Sequence, residues 1–225
     1  MKIQVNGIAK KFVPPNEIIL NIFFTQKGET YQEAVSKGLN NIYAFNSLVL
    51  IDNGLDENKL QTKNFSVNES QSFNDVTKNW EKDGYIFNQE AILKIDNDNK
   101  LLTKIIKSIS MLENSPSLTV SYGLKDDNNK ILNLLIKEAY ADAVSKANMI
   151  AKTTNSHITN TISVELQPIN SVLRTNFTNS NIEFSKLSDM DTSMITPEDI
   201  EVEINLLCIF EAINENLNHL NNSIM

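Results

Sequence analysis

The chain has 225 residues, 41% apolar and 21% charged, with a single Cys; 28 acidic residues against 20 basic give a formal charge of −8. This excludes a disulfide scaffold and a wholly disordered chain, and no apolar run reaches the ~20 residues of a membrane-spanning helix. Without a Lys/Arg cluster, an acidic chain is also a poor candidate for nucleic acid, whose phosphates are held largely by clustered bases.

The opening Met1-Lys2-Ile3-Gln4-Val5 reads as a strand from Ile3, alternating weakly to Ala9. It shows no basic start followed by the ~7–15 apolar residues of a secretory signal. A cytoplasmic location is expected, or an envelope-associated one if a leader has been removed. The lone Cys208 agrees with a reducing compartment. Asn makes up roughly one residue in seven, far above the norm, but is spread through periodic elements and reads as genome composition bias.

Pro14-Pro15 breaks the first strand. Ile18, Leu20, Ile22 and Phe24 then recur at period two, so a second strand is expected to pair back on the first and end at Gly28. Thr30-Tyr31-Gln32-Glu33 is a capping-box pattern, in which Thr30 accepts from Glu33 and the Glu33 carboxylate reaches back to Thr30. Tyr31, Val35, Leu39, Ile42, Phe45 and Val49 follow at helical spacing, and Asn53-Gly54 supplies a left-handed stop.

A polar extended segment at about 59–74 comes next. Asn74–Asp83, polar apart from Val76 and Trp80, is the expected exposed hairpin end. Gly84-Tyr85 opens the next strand, with Tyr85, Phe87, Ala91, Leu93 and Ile95 on one face. Asp96-Asn97-Asp98-Asn99 turns into a short helix carrying Leu101, Leu102, Ile105, Ile106 and Ile109. Beyond Pro116, Leu118, Val120 and Tyr122 read as a fifth strand.

Asp126-Asp127-Asn128 caps a long helix over about 128–153, where the acidic residues also suit the positive end of the dipole. Its expected buried face is Leu132, Leu135, Ala139, Ala143, Ala147 and Ile150; small side chains at successive turns imply close packing. Ile158, Ile162, Val164 and Leu166 make a strand. Residues 168–198 hold no period and read as a mobile loop. The last strand is the cleanest, with Ile200, Val202, Ile204, Leu206, Cys208 and Phe210 on one face.

The order ββα, ββα, β, α, β, loop, β predicts an α+β fold of antiparallel sheets with helices packed on one side. Residues 1–212 are expected to form a single domain, with two α+β subdomains as an open alternative, and 213–225 a polar tail. The two successive ββα units suggest a distant duplication, without a residue-level repeat.

Chemistry is sparse. His157 and His219 have no spaced ligand partners; His157, placed where the long helix ends, suits the dipole there. Cys208 shares its face with five large apolar residues and reads as buried. Asp96-Asn97-Asp98-Asn99 begins like a calcium loop but lacks the sixth-position Gly and has Lys107 where the bidentate Glu belongs. Asp189, Asp191, Glu198 and Asp199 gather a cation only if the loop folds on itself. Trp80, Tyr85 and Phe87 offer a stacking surface for single strands, against which core or hairpin packing prevails in an acidic chain. No nucleotide, hydrolase or metalloprotease motif occurs. No catalytic, cofactor-binding or metal-binding residue is assigned, and no cofactor is expected.

Several landmarks combine, in order: Ile3-x-Val5-x-Gly7, the proline break, Gly84-Tyr85, and Ala139-x-Ala141-Asp142-Ala143-x-x-Lys146-Ala147-x-x-Ile150-Ala151. The last resembles the helix motif of the SIMPL-domain family, a bacterial domain of formerly unknown function. Thr196-Pro197-Glu198-Asp199-Ile200-Glu201-Val202 is similar to its approach to a final long strand. The resemblance, from Ile3 to about Phe210, implies an α+β fold and, in some members, ring-like or channel-like homo-oligomers. It also implies an envelope location in many members, a link to oxidative-stress tolerance in some, and no catalytic residues to carry over. The chain departs from the family at Asn155-Ser156, where a Gly often follows the helix.

The expected function is that of a non-enzymatic, self-associating structural or interaction protein linked to stress tolerance. It is expected to form a homo-oligomer, with room for a protein partner, and no nucleic acid or membrane span. The alternatives are a small-molecule or peptide binding module using a cleft under the 168–198 loop, and an enzyme with dispersed carboxylates.

Overall fold

The computed structural model describes residues 1–125, 129–167 and 196–214. The cap at 126–128, the expected loop up to residue 195 and the tail from 215 lie outside the described residues. The elements are β1 (Lys2–Val13), β2 (Glu17–Gly28), α1 (Tyr31–Phe45), β3 (Leu60–Asn74), β4 (Asn79–Asp96), α2 (Asn99–Ser110), β5 (Ser117–Gly123), α3 (Asn129–Thr153), β6 (Ser156–Leu166) and β7 (Ile200–Asn214). The fold is α+β, as expected, with two antiparallel sheets: β1-β7-β6 and β3-β4-β2-β5. The elements divide into two compact units, one per sheet.

In the first unit the alternation of β7 places Val202, Ile204, Leu206, Cys208 and Phe210 in the core, where they meet the Ile3, Val5 and Ala9 side of β1. The long helix α3 covers that face with Leu135, Ala139, Ala143, Ala147 and Ala151, all buried. Ile150, expected on this face, is exposed and Ala151 replaces it. A strict four-residue spacing of small residues brings the helix close, whereas Ile150 stands one residue, about 100°, off that line. At the crossing stands Gly7: a β-carbon there falls 1.9 Å from the Ala139 carbonyl oxygen. Two residues past the helix stands Asn155, whose φ of 48° is the left-handed geometry usually given to Gly. Asn tolerates it, which accounts for the departure noted at this position.

The second unit sets Ile18, Leu20, Ile22 and Phe24 of β2 between Phe87, Ala91, Leu93 and Ile95 of β4 and Leu118 and Val120 of β5. Both α1 and α2 pack on this one face. Asp98 caps α2, accepting from the N–H groups of Lys100 and Leu101. Thr30 caps α1 as expected, but the Glu33 carboxylate accepts from Glu29 N–H, one residue before the cap. The helix continues through a wide turn at Asn46–Leu50 and a tight one at Ile51–Asn53, and stops at Gly54 with φ 73°.

Two expectations are corrected here. The buried face of α1 is Ala34, Gly38, Asn41 and Phe45, while Tyr31 and Leu39 are exposed. Gly38 lies against Phe87 so closely that a β-carbon would come 2.4 Å from its ring. The small residues therefore define the contact and the large ones flank it. Nor does β2 pair back on β1: β1 pairs with β7, and β2 with β4 and β5. A tight hairpin needs residues that favour φ > 0, and Pro14-Pro15 fixes φ negative. Asn97 instead donates to the Pro15 carbonyl at 2.8 Å and Asn16 N–H to Gly123 at 3.0 Å, anchoring the start of β2 in its own unit.

Candidate functional site

The residues weighed for chemistry stay apart. His157 is an exposed residue of β6 opposite Ile213, past the helix end; His219 is outside the described residues. Cys208 is fully buried, and burial pushes its thiol pKa up. Asp96–Asn99 serves as a turn and helix cap. Glu198 and Asp199 are exposed, and Asp189 and Asp191 fall outside the described residues. Among the described residues no three His, Cys, Asp or Glu gather as a metal site, and no helix is long and apolar enough to cross a membrane.

A more distinctive surface lies at the end of the second sheet. Strand β2 stops at Gly28, opposite Tyr85, while β3 and β4 run on together to the pair Asn74–Asn79. Gly84 therefore does not open the strand, which begins at Asn79. It stands in a bulge, where Asp83 and Gly84 face Ser70, at φ 94° and so close to Gly28 that a β-carbon would come 2.3 Å from its carbonyl oxygen. Beyond this bulge the two strands have only each other, making a two-stranded ribbon.

The face of the ribbon continues the aromatic line of the core. Phe65 packs edge-on to Phe87 at 5.2 Å, Tyr31 to Tyr85 at 5.9 Å, and Phe73 to Trp80 at 5.7 Å. Lys82 lies 4.3 Å from the Tyr85 ring centre, donates to its hydroxyl and pairs with Glu69 at 2.9 Å; these contacts hold its pKa above the usual lysine value. At the tip Trp80 is 68% exposed, Phe73 47% and Val76 91%. The ribbon's charges are already engaged: Asp83 with Lys27, Asp75 with Lys78, and Glu81 with Asn74 and Thr77. Among the exposed side chains of the ribbon, Phe73, Trp80 and Val76 are the large apolar ones, set among polar neighbours such as Gln71, Ser72, Thr77 and Asn79.

The helix motif noted in the sequence has a separate task. β1 is an edge strand. Its Ile8 N–H donates to Asp142 at 2.9 Å, and its Asn6 carbonyl accepts from Lys146 at 3.0 Å, while Lys146 and Asp142 pair at 2.6 Å. Residues two apart on a strand direct their backbone groups to the same side. The ion pair thus occupies the open edge on either side of Gly7, where another strand would add. The family model described as SIMPL, protein of unknown function (DUF541), matches residues 3–208. The chain belongs to the SIMPL family. No curated protein matches it. In this SIMPL chain the alanines of the motif set the helix-to-sheet distance, and its Asp and Lys cover the strand edge. Sequence reading quoted both residues without finding that role, because the contact joins positions more than 130 apart. It also passed over Phe73, although Phe73 and Trp80 flank a short polar turn at the spacing of a cross-strand pair.

Proposed function

We propose that this SIMPL protein is a non-enzymatic interaction protein that self-associates through the β3–β4 ribbon. The observation that carries the reading is the paired, exposed Phe73 and Trp80 with Val76 at the tip. A two-stranded hairpin is marginal in water by itself, and a solvated aromatic pair on it gains most by being covered. A second copy suits this face better than a charged partner, since the contact surface offered is the aromatic pair, while Asp83, Lys82 and Asp75 each already have an ion-pair partner. Such a patch supports a two-fold contact in which each tip packs on the other. A buried thiol at Cys208 and an exposed His157 on separate faces of the first sheet favour a non-catalytic role over turnover by these two residues.

The test is the molar mass by light scattering across micromolar concentrations, for the native chain and for Trp80→Glu. The proposal expects a multiple of the chain mass that Trp80→Glu returns to one. A native chain that stays monomeric at high micromolar concentration overturns it.

A further inference from the structure

The second unit holds a cavity of about 390 Å³ between the end of β2, α1 and the residues after α2. This is within the roughly 300–1,000 Å³ range of small-molecule sites. Four carboxamides line it: Gln26, Asn40, Asn41 and Asn114. Asn41 is the telling one. It is only 7% exposed, its side chain makes no hydrogen bond to another described residue, and the cavity is what it faces. Its carboxamide is thus available, in a residue otherwise held by the core, to a ligand group that both donates and accepts.

The remaining lining narrows the chemistry. Lys37 already pairs with Glu33, and Lys27 with Asp83, so neither cation calls for an anionic ligand. Ala44 and Leu112 offer a small apolar wall, and Glu113 a carboxylate at the rim. Carboxamides match hydroxyls in both hydrogen-bonding senses, a carboxylate accepts from two neighbouring hydroxyls, and the apolar wall suits the C–H side of a ring. We infer that this cavity binds a neutral polyhydroxylated compound of monosaccharide size, with Asn41 as its anchor.

Titration of the full chain with glucose and with myo-inositol, followed by the side-chain amide resonances in nitrogen-15 NMR, tests this. Glucuronate and glucosamine serve as charged comparisons. The inference expects a saturable shift of the Asn41 amide with at least one neutral polyol at millimolar concentration, and weaker responses to the charged pair. Asn41→Leu should abolish binding. The exposed Asn114→Ala, which leaves the core untouched, should weaken it about tenfold, the loss typical of one hydrogen bond. No saturable shift with either polyol, tighter binding of a charged comparison, or binding unchanged in both variants overturns it. Self-association does not enter these readouts, so the two proposals fail separately.

Discussion

At Gly7 a methyl group would overlap the backbone of α3, since its carbon would lie 1.9 Å from the Ala139 oxygen and 2.8 Å from the Ala143 methyl. Backbone yields less readily than the end of a flexible side chain. Gly7→Ala is therefore expected to cost about 3 kcal/mol, at the upper end of overpacking penalties, and urea unfolding measures it. An unchanged midpoint would mean that α3 is held less closely than described. Cys208 makes the opposite case, a reactive group silenced by its neighbours. Burial raises its thiol pKa, so little thiolate is present at neutral pH. A thiol reagent should fail to label the native chain and label it fully in urea; rapid native labelling would contradict the sealed core.

The helices and strands teach a consistent lesson about closeness. α3 approaches β1 near enough for Asp142 and Lys146 to bond the strand's own backbone. The Lys146 ammonium, followed by the Ile8 N–H, holds the Asp142 carboxyl below its ordinary pKa. A depressed carboxylate pKa adds stability that is complete above the unfolded value, near pH 4, and is lost as pH falls through the folded value. Asp142→Asn should therefore lower stability at neutral pH by about 1 kcal/mol, a figure reduced for partial exposure, and flatten this part of the acid slope. Chemical denaturation of both chains from pH 7 down to about pH 3 checks the sign; equal slopes would rule out the edge contact. The same closeness explains what sequence reading caught and missed. β7 was readable because six apolar residues alternate in a single buried row. The face of α3 was readable through Leu135, Ala139, Ala143 and Ala147 but not at Ala151, and most of the α1 face was not, because Ala34, Gly38, Asn41 and Ala151 are small or polar and carry little hydrophobic signal. Strand partners were hidden for another reason: alternation in β1 and β2 says which side faces a core, and nothing about which strand lies alongside. The ribbon's tip was recognised as an exposed hairpin end. The aromatic pairing there was not read, since Phe73 and Trp80 become neighbours only once the register is known.

For the molecule as a whole, SIMPL membership establishes the family and leaves the activity to be argued from the surface. A chain with formal charge −8 repels its copies at long range, so association needs a contact face free of unpaired charge. The aromatic pair at the ribbon's tip offers an apolar contact, and raising the salt concentration should strengthen association by screening the charges around it and on the rest of the surface. Sedimentation at low and high salt would show this, and weakening by salt would point to an ionic interface elsewhere. Trp80 is the sole tryptophan, so the protein carries its own reporter at the proposed contact. The most direct measurement is its fluorescence emission and quencher accessibility across a dilution series. The account predicts a shielded, blue-shifted tryptophan at high concentration that turns red and becomes quenchable as the mass falls to that of one chain. Red, freely quenched emission at every concentration would contradict it.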